Sequence, residues 1–182
     1  MLVFLDFEAS SLSKHSYPIE VAWVFEDGRS EAHLIRPAPQ WQDWDPRSEA
    51  IHHLSRQQLE TEGAPHDWVA GRMVEALTGH DLLASAPSWD GKWLSALLRA
   101  ADLPRHSLRL RDTDAVNAEA AAAVLRGVVA ADRLDEAVGN VLALAEVRAP
   151  GVAPAHRALA DAEEERQRWL AVQAAARRMG AE

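Results

Sequence analysis

Two acidic side chains, Asp6 and Glu8, stand one residue apart in an otherwise apolar segment at the start of the sequence. If this segment is a β-strand, side-chain alternation puts both carboxylates on one face and Leu5 and Phe7 on the other. Two neighbouring anions at the edge of an apolar core raise each other's pKa, and a bound cation relieves their repulsion. The pair is therefore a candidate metal site, although an exposed acidic strand end is the favoured interpretation of this pattern taken alone.

A histidine and an aspartate, His156 and Asp161, occur five residues apart at the start of a long predicted helix. Residues five apart do not share a helix face, so both can serve one site only if His156 precedes the helix and Asp161 projects from its second turn. A loop histidine can move and exchange a proton near neutral pH, as a general base must. A capping or surface histidine is the alternative.

A third acid, Asp90, lies within residues 88–94 (SWDGKWL), in the first turn of a predicted helix that follows a strand. The helix dipole favours a carboxylate there, so Asp90 taken alone indicates only a capping role. Trp89 and Trp93 flank this acid and can stack bases, although core residues that anchor the helix are the favoured interpretation.

The composition limits the chemistry and the partners. The 182 residues include no cysteine, so any metal must bind oxygen or imidazole. The net charge of −9 opposes a broad electrostatic coating of DNA, and a nucleic-acid contact must be local or assisted by cations. Arg109 and Arg111 are candidate phosphate contacts, and a solvated strand face explains them equally well.

The first residues lack the basic start of a signal peptide and no apolar run is long enough for a membrane span, so we expect a soluble, cytoplasmic protein with no membrane partner.

The elements that must position these residues follow from hydropathy and turn signals. The sequence predicts one α/β domain over residues 1–182, since no repeat or linker divides the chain. Strands are predicted at 2–7, 19–25, 30–36, 81–86 and 107–111, the first three as an antiparallel meander. Helices are predicted at 48–60 (one or two), 65–78, from 89 to before Leu103, 115–131, 132–147 and 157–179. Pro150, Gly151 and Pro154 predict an irregular loop before the last helix.

Together the three acidic segments resemble the motifs of the DEDD superfamily of 3′-to-5′ exonucleases, in its DnaQ-like, histidine-containing (DEDDh) branch. Residues 4–12 (FLDFEASSL) resemble the first motif, an aspartate and a glutamate at the end of a strand. Residues 89–94 (WDGKWL) are similar to the second motif, and residues 156–162 (HRALADA) to the third. The resemblance spans almost the whole chain.

The resemblance implies a ribonuclease H-like fold, a five-stranded mixed sheet flanked by helices. It also implies two-metal hydrolysis of terminal phosphodiesters, with two Mg²⁺ ions, for which Mn²⁺ can substitute, bound by Asp6, Glu8, Asp90 and Asp161, and with His156 as general base. The expected substrates are 3′ ends of single-stranded DNA or RNA, and the expected products are nucleoside 5′-monophosphates. A homodimer is compatible with the family.

The resemblance places substrate contacts directly after the first acids. Leu12 corresponds to a hydrophobic wedge beside the terminal base, and the backbone amides of Ala9, Ser10 and Ser11 are expected to donate to the 3′-hydroxyl group. Trp89 is the candidate for base stacking. The family's usual Thr-Thr-Gly is Ala-Ser-Ser here, which leaves the identity of the substrate open. The alternative function is a catalytically inactive nucleic-acid-binding or partner subunit of the same fold.

Overall fold

Six strands form the sheet of the computed structural model, which describes residues 1–145 and 156–181. The strands are β1 (Leu2–Ala9), β2 (Pro18–Phe25), β3 (Ser30–Arg36), β4 (Ala64–Pro65), β5 (Asp81–Ala84) and β6 (Leu110–Asp112). Their order across the sheet is β4-β3-β2-β1-β5-β6. Strands β1, β2 and β3 are antiparallel neighbours, and β5 and β6 run parallel to β1, so the mixed sheet and its meander are confirmed.

Seven α-helices surround the sheet in the described residues. They are α1 (Pro46–His52), α2 (Arg56–Glu62), α3 (His66–Leu77), α4 (Pro87–Ala100), α5 (Thr113–Leu125), α6 (Leu134–Ala145) and α7 (Ala158–Met179). His53 separates α1 from α2 because it takes a left-handed conformation with φ 59°. None of the helices in the described ranges has the length and hydropathy that a membrane-spanning helix requires.

The meander depends on a tight turn after β2. Gly28 has φ 92°, a conformation that glycine adopts without strain, and its amide donates to the carbonyl oxygen of Phe25 at 2.8 Å. The amide of Phe25 in turn donates to the carbonyl oxygen of Arg29 at 2.8 Å. The Asp-Gly signal in the sequence therefore marks the hairpin correctly.

Two edge strands differ from the sequence prediction. The two-residue strand β4 pairs with β3 and makes the sheet six-stranded rather than five-stranded. Strand β6 begins at Leu110 instead of residue 107, because the amide and the hydroxyl of Ser107 both donate to the carbonyl oxygen of Pro104 and close a turn there. The predicted loop at Pro150, Gly151 and Pro154 lies outside the described residues.

Each face of the sheet carries its own apolar core. On one face, side chains of β1 and β2 pack with α3 and α4; buried members of this cluster include Trp23, Phe7, Met73, Leu97 and Leu98. On the other face Phe4 and Leu83 pack with Val116 of α5 and Trp169 of α7. The central strand β1 is therefore held from both sides, which fixes the direction of every side chain along it.

Candidate active site

Strand β1 presents the two acids of the first motif. Leu5 and Phe7 are buried in the core beneath α3 and α4, and Asp6 and Glu8 alternate with them toward the opposite face. A bulge between Glu8 and Ala9 interrupts the pairing with β2, and bulges commonly redirect side chains beside active sites. The two carboxylates therefore emerge on the same face, as strand alternation predicts.

Helix α7 brings Asp161 to the same place. This helix packs against β1 and β2, and Asp161 lies in its first turn rather than its second because the helix begins at Ala158. One carboxylate oxygen from each of Asp6, Glu8 and Asp161 lies within 4.8 Å of the others. The structure thus joins the acids of the first and third motifs into one cluster.

An ion pair that the sequence analysis missed holds the start of α7. Arg157 donates to Oε1 of Glu20 at 2.6 Å and to Oε2 at 3.0 Å, and the amide of Ala158 donates to Oε2 at 3.1 Å. Glu20 lies opposite Glu8 in the β1–β2 pair, and its side chain is only 5% exposed. The signal for this contact is a lone acid inside the apolar strand 18–25, since a buried carboxylate needs a partner.

We expect Arg157→Ala to destabilise the protein by about 2 to 3 kcal/mol, because it leaves the buried Glu20 carboxylate without its cation. Chemical denaturation measures the change. Arg133→Ala removes an exposed ion pair with Glu136 and is the control, with little change expected. If Arg157→Ala unfolds at the same denaturant concentration as the wild type, the ion pair does not hold α7 in place.

Asp90 reaches the cluster from the first turn of α4. It is 2% exposed, and this burial raises the pKa of its carboxyl to about 7, although backbone hydrogen bonds at Ala86 and Phe7 act in the opposite direction. Its Oδ2 atom is buried without a hydrogen-bond partner in the described ranges. A buried acceptor of this kind is costly unless something binds it, so a role beyond helix capping is indicated.

Burial and mutual repulsion perturb the acids of the cluster. Burial, followed by the charges of Asp90, Glu8 and Asp161, raises the pKa of Asp6 to about 9. Burial and the charge of Asp161 raise the pKa of Glu8 to about 7. Glu165 lies one helical turn beyond Asp161 and adds to the rise in the pKa of Asp6. Its Oε2 atom lies 3.9 Å from Nη1 of Arg168. The sequence motifs did not include Glu165, although a spacing of four residues puts it on the same helix face as Asp161.

The donor set fits divalent metal ions. Carboxylate oxygens are the ligands that Mg²⁺ and Mn²⁺ prefer, and a cation removes the repulsion that raises these pKa values. Asp6, Glu8 and Asp161 can hold one ion. Asp90 lies outside that triad, and its unpartnered Oδ2 is the candidate ligand for a second ion.

His156 lies two residues before the start of α7, ahead of the helix as expected. It is exposed, and its φ of 45° is a left-handed conformation, so this residue is not part of the helix. The neighbouring Arg157 is bound to Glu20, so the backbone on one side of the histidine is anchored. Its role as general base stays a prediction.

The segment after the acid pair is braced from within. The amide of Ser10 donates to the carbonyl oxygen of Tyr17 at 3.0 Å, and Oγ of Ser10 accepts from the amide of Tyr17 at 3.1 Å. The hydroxyls of Ser11 and Ser13 both donate to Asp43. The amide of Ser10 is therefore engaged within the chain in this structure. That the amides of Ala9, Ser10 and Ser11 donate to a 3′-hydroxyl group stays a prediction.

Leu12 and Trp89 both face solvent near this segment, with 69% and 38% of their surface exposed. Trp93 is instead a core residue whose Nε1 donates to Oγ of Ser16 at 3.0 Å. The ammonium group of Lys92 lies 4.9 Å from the centre of the Trp89 ring and donates to the carbonyl oxygen of Ser13 at 2.5 Å. Helix α4 thus supports the segment that presents Leu12, a contact that the motifs did not predict.

The order of the strands and the helices on both faces define a ribonuclease H-like α/β fold, as expected. Solved structures of E. coli exonuclease I share this fold. A zinc-bound complex of that enzyme with single-stranded DNA superposes with a TM-score of 0.63 and 18% identity, over 91% of this chain and 38% of the exonuclease. A complex with a dT13 oligonucleotide gives 0.62 and 17%, over 91% and 39%.

The chain therefore spans about two fifths of the length of exonuclease I. An apo structure of exonuclease I gives a TM-score of 0.61 at 16% identity, over 92% of this chain and 40% of the other. No protein-family model and no curated protein matches the sequence. At this level of identity the likeness establishes the fold.

Proposed function

We propose that this chain is a metal-dependent 3′-to-5′ exonuclease that hydrolyses terminal phosphodiesters of single-stranded nucleic acid to nucleoside 5′-monophosphates. The proposal is carried by the convergence of Asp6, Glu8 and Asp161 within 4.8 Å, beside the buried Asp90, on a fold shared with exonuclease I. That enzyme has been crystallised with single-stranded DNA, including dT13 and dA16 oligonucleotides, which favours DNA ends as the substrate here.

In the proposed reaction the carboxylates hold the metals and the histidine moves the proton. When bound, divalent ions would supply activation of a water molecule and stabilisation of charge on the leaving 3′-oxygen. Asp6, Glu8 and Asp161 would hold one ion, and Asp6 and Asp90 would hold the other. His156, in its neutral form, accepts the proton of the attacking water at an imidazole nitrogen.

The residues after the acid pair of β1 restrict the reaction to chain ends. Leu12 packs against the terminal base, and the amides of Ala9 and Ser11 donate to the 3′-hydroxyl group, a group that an internal nucleotide lacks. Trp89 offers a partly exposed ring on which a further base can stack.

The test is a time course with 5′-labelled single-stranded DNA and RNA oligomers, in Mg²⁺, in Mn²⁺ and in chelator, with Asp6→Ala alongside the wild type. Shortening from the 3′ end that needs both metal and Asp6 supports the exonuclease and distinguishes DNA from RNA. Binding without degradation supports the alternative, an inactive nucleic-acid-binding or partner subunit. Absence of both binding and cleavage contradicts both functions.

We expect His156→Ala to lower the rate of hydrolysis by about 10²- to 10³-fold, the usual contribution of a general base. Metal binding should be unchanged, because the carboxylates remain; the rise in melting temperature with added Mn²⁺ measures it. Added imidazole should restore part of the activity by taking up the proton in place of the missing ring. An undiminished rate in the variant removes His156 from the mechanism.

A further inference from the structure

A cleft of about 410 Å³ opens at the amino ends of the parallel strands β5 and β6. Asp81, one of its lining residues, is paired with Leu2 at the start of β1. Asp6 lies four residues further along β1, or about 13 Å at roughly 3.3 Å per residue. The cleft is therefore at the opposite end of the strands from the acidic cluster, and the proposed exonuclease reaction makes no use of it.

Basic groups line this cleft in a chain whose net charge is −9. Its lining includes four basic side chains, Arg109, Arg111, His80 and His106, and one acidic side chain, Asp81. Arg111 also forms an ion pair of 2.6 Å with Glu119, whereas Arg109 makes no ion pair with any residue in ranges 1–145 and 156–181. Arg109 is thus a guanidinium group at the cleft that is available to bind a phosphate group.

The floor of the cleft has a different character. Leu77, Leu82 and Leu108 line it; Leu108 is 6% exposed and the other two are buried more deeply, so the bottom of the cleft is apolar. The Nδ1 atom of His80 is buried without a hydrogen-bond partner in the described part of the chain. Apolar walls with a few polar groups, in a volume of several hundred Å³, are typical of sites for small ligands.

We propose that this cleft binds a nucleoside monophosphate, with its phosphate against Arg109 and Arg111 and its base on the leucine floor. An apolar floor beside two guanidinium groups matches a ligand that is charged at one end and flat and apolar at the other. The proposed exonuclease releases ligands of this class, so the source of the ligand rests on the proposed function, whereas the binding does not.

Isothermal titration calorimetry with AMP and dAMP, on protein kept metal-free with chelator, tests the site without turnover. We expect the nucleotides to bind at least tenfold more tightly than inorganic phosphate or adenosine. Arg109→Glu should weaken nucleotide binding at least tenfold. Arg133→Glu makes the same change of charge outside the cleft and should bind like the wild type, as should Asp6→Asn. Melting temperatures verify that each variant is folded.

Several results overturn this proposal. Equal affinity in Arg109→Glu and the wild type places the nucleotide elsewhere, and equal losses in Arg109→Glu and Arg133→Glu indicate a nonspecific charge effect. Phosphate that binds as tightly as AMP indicates an anion site without a base pocket. Binding abolished by Asp6→Asn assigns the nucleotide to the acidic cluster. If the protein binds AMP through Arg109 but degrades no nucleic acid, the proposed function is contradicted and the proposed nucleotide site is not.

Discussion

Replacing Asp6 with asparagine is expected to abolish metal-dependent hydrolysis, by about 10³-fold or more, while making the metal-free protein more stable. The rate falls because Asp6 is central to both metal positions in the proposed mechanism, and metal ions contribute several kcal/mol to such reactions. Stability rises because burial and four neighbouring carboxylates raise the pKa of Asp6 to about 9, so its ionised form is disfavoured in the folded chain. We expect a gain of roughly 2 kcal/mol at pH 8.

Activity and stability are measured on the same preparations, by oligonucleotide degradation in Mg²⁺ and by denaturant unfolding in chelator. Asp102→Asn is the matched control: this aspartate is exposed and has φ 54°, a conformation that asparagine tolerates. It should leave both quantities unchanged. If Asp6→Asn lowers stability in chelator, the carboxylates do not repel one another in the folded state; if it retains activity, Asp6 is no metal ligand.

The metal-free protein is expected to lose stability as pH rises toward 9, and divalent metal is expected to restore it. Carboxyl groups with raised pKa values hold protons in the folded state that the unfolded chain has released, so folding becomes less favourable with rising pH. For Glu8 and Asp90 this loss runs from about pH 4 to about pH 7. For Asp6 it continues to about pH 9.

In the range from pH 7 to pH 9 Asp6 contributes most of the change, because Glu8 and Asp90, with pKa values of about 7, complete their titration in its lower part. Below it, His52 acts in the opposite sense, because burial lowers the pKa of this histidine and folding then becomes more favourable as pH rises to about 6.5. Unfolding curves in chelator should shift to lower denaturant between pH 7 and pH 9 by the equivalent of about 1 to 2 kcal/mol, and Asp6→Asn should flatten the shift. Added Mn²⁺ should stabilise the wild type more at pH 8.5 than at pH 6, since metal binds the deprotonated acids. A pH-independent stability in chelator contradicts the raised pKa of Asp6.

Local patterns were sufficient to predict the side-chain directions of the acid pair. Strand alternation gives the common face of Asp6 and Glu8, and the spacing of His156 and Asp161 requires the histidine to precede the helix. These relations join residues that are close together in the sequence, so the periodicity of strands and helices is enough to predict them. That Asp161 lies beside Asp6 depends on how α7 packs on the sheet, and the sequence indicated it only through a resemblance.

Other contacts depend on register and on distant partners. The pairing of Glu20 with Arg157 joins residues 137 apart and requires that Glu20 lie opposite Glu8, which hydropathy does not encode. The brace between Asp43 and the serines after β1 likewise joins two loops. Strand β4 is too short for a pattern of its own, and its pairing with β3 follows from the chain passing the sheet edge between α2 and α3.

The dependence of the acidic cluster on α7 has a consequence for the newly made chain. Asp6, Glu8 and Asp90 are synthesised well before Asp161, and the contact that seats α7, between Arg157 and Glu20, closes a loop of 137 residues. Because long-range contacts of this kind form late, a nascent chain on the ribosome has three of the four carboxylates before α7 packs beside them and brings the fourth. If the chain is the exonuclease proposed above, it would become competent only once α7 has emerged from the ribosome.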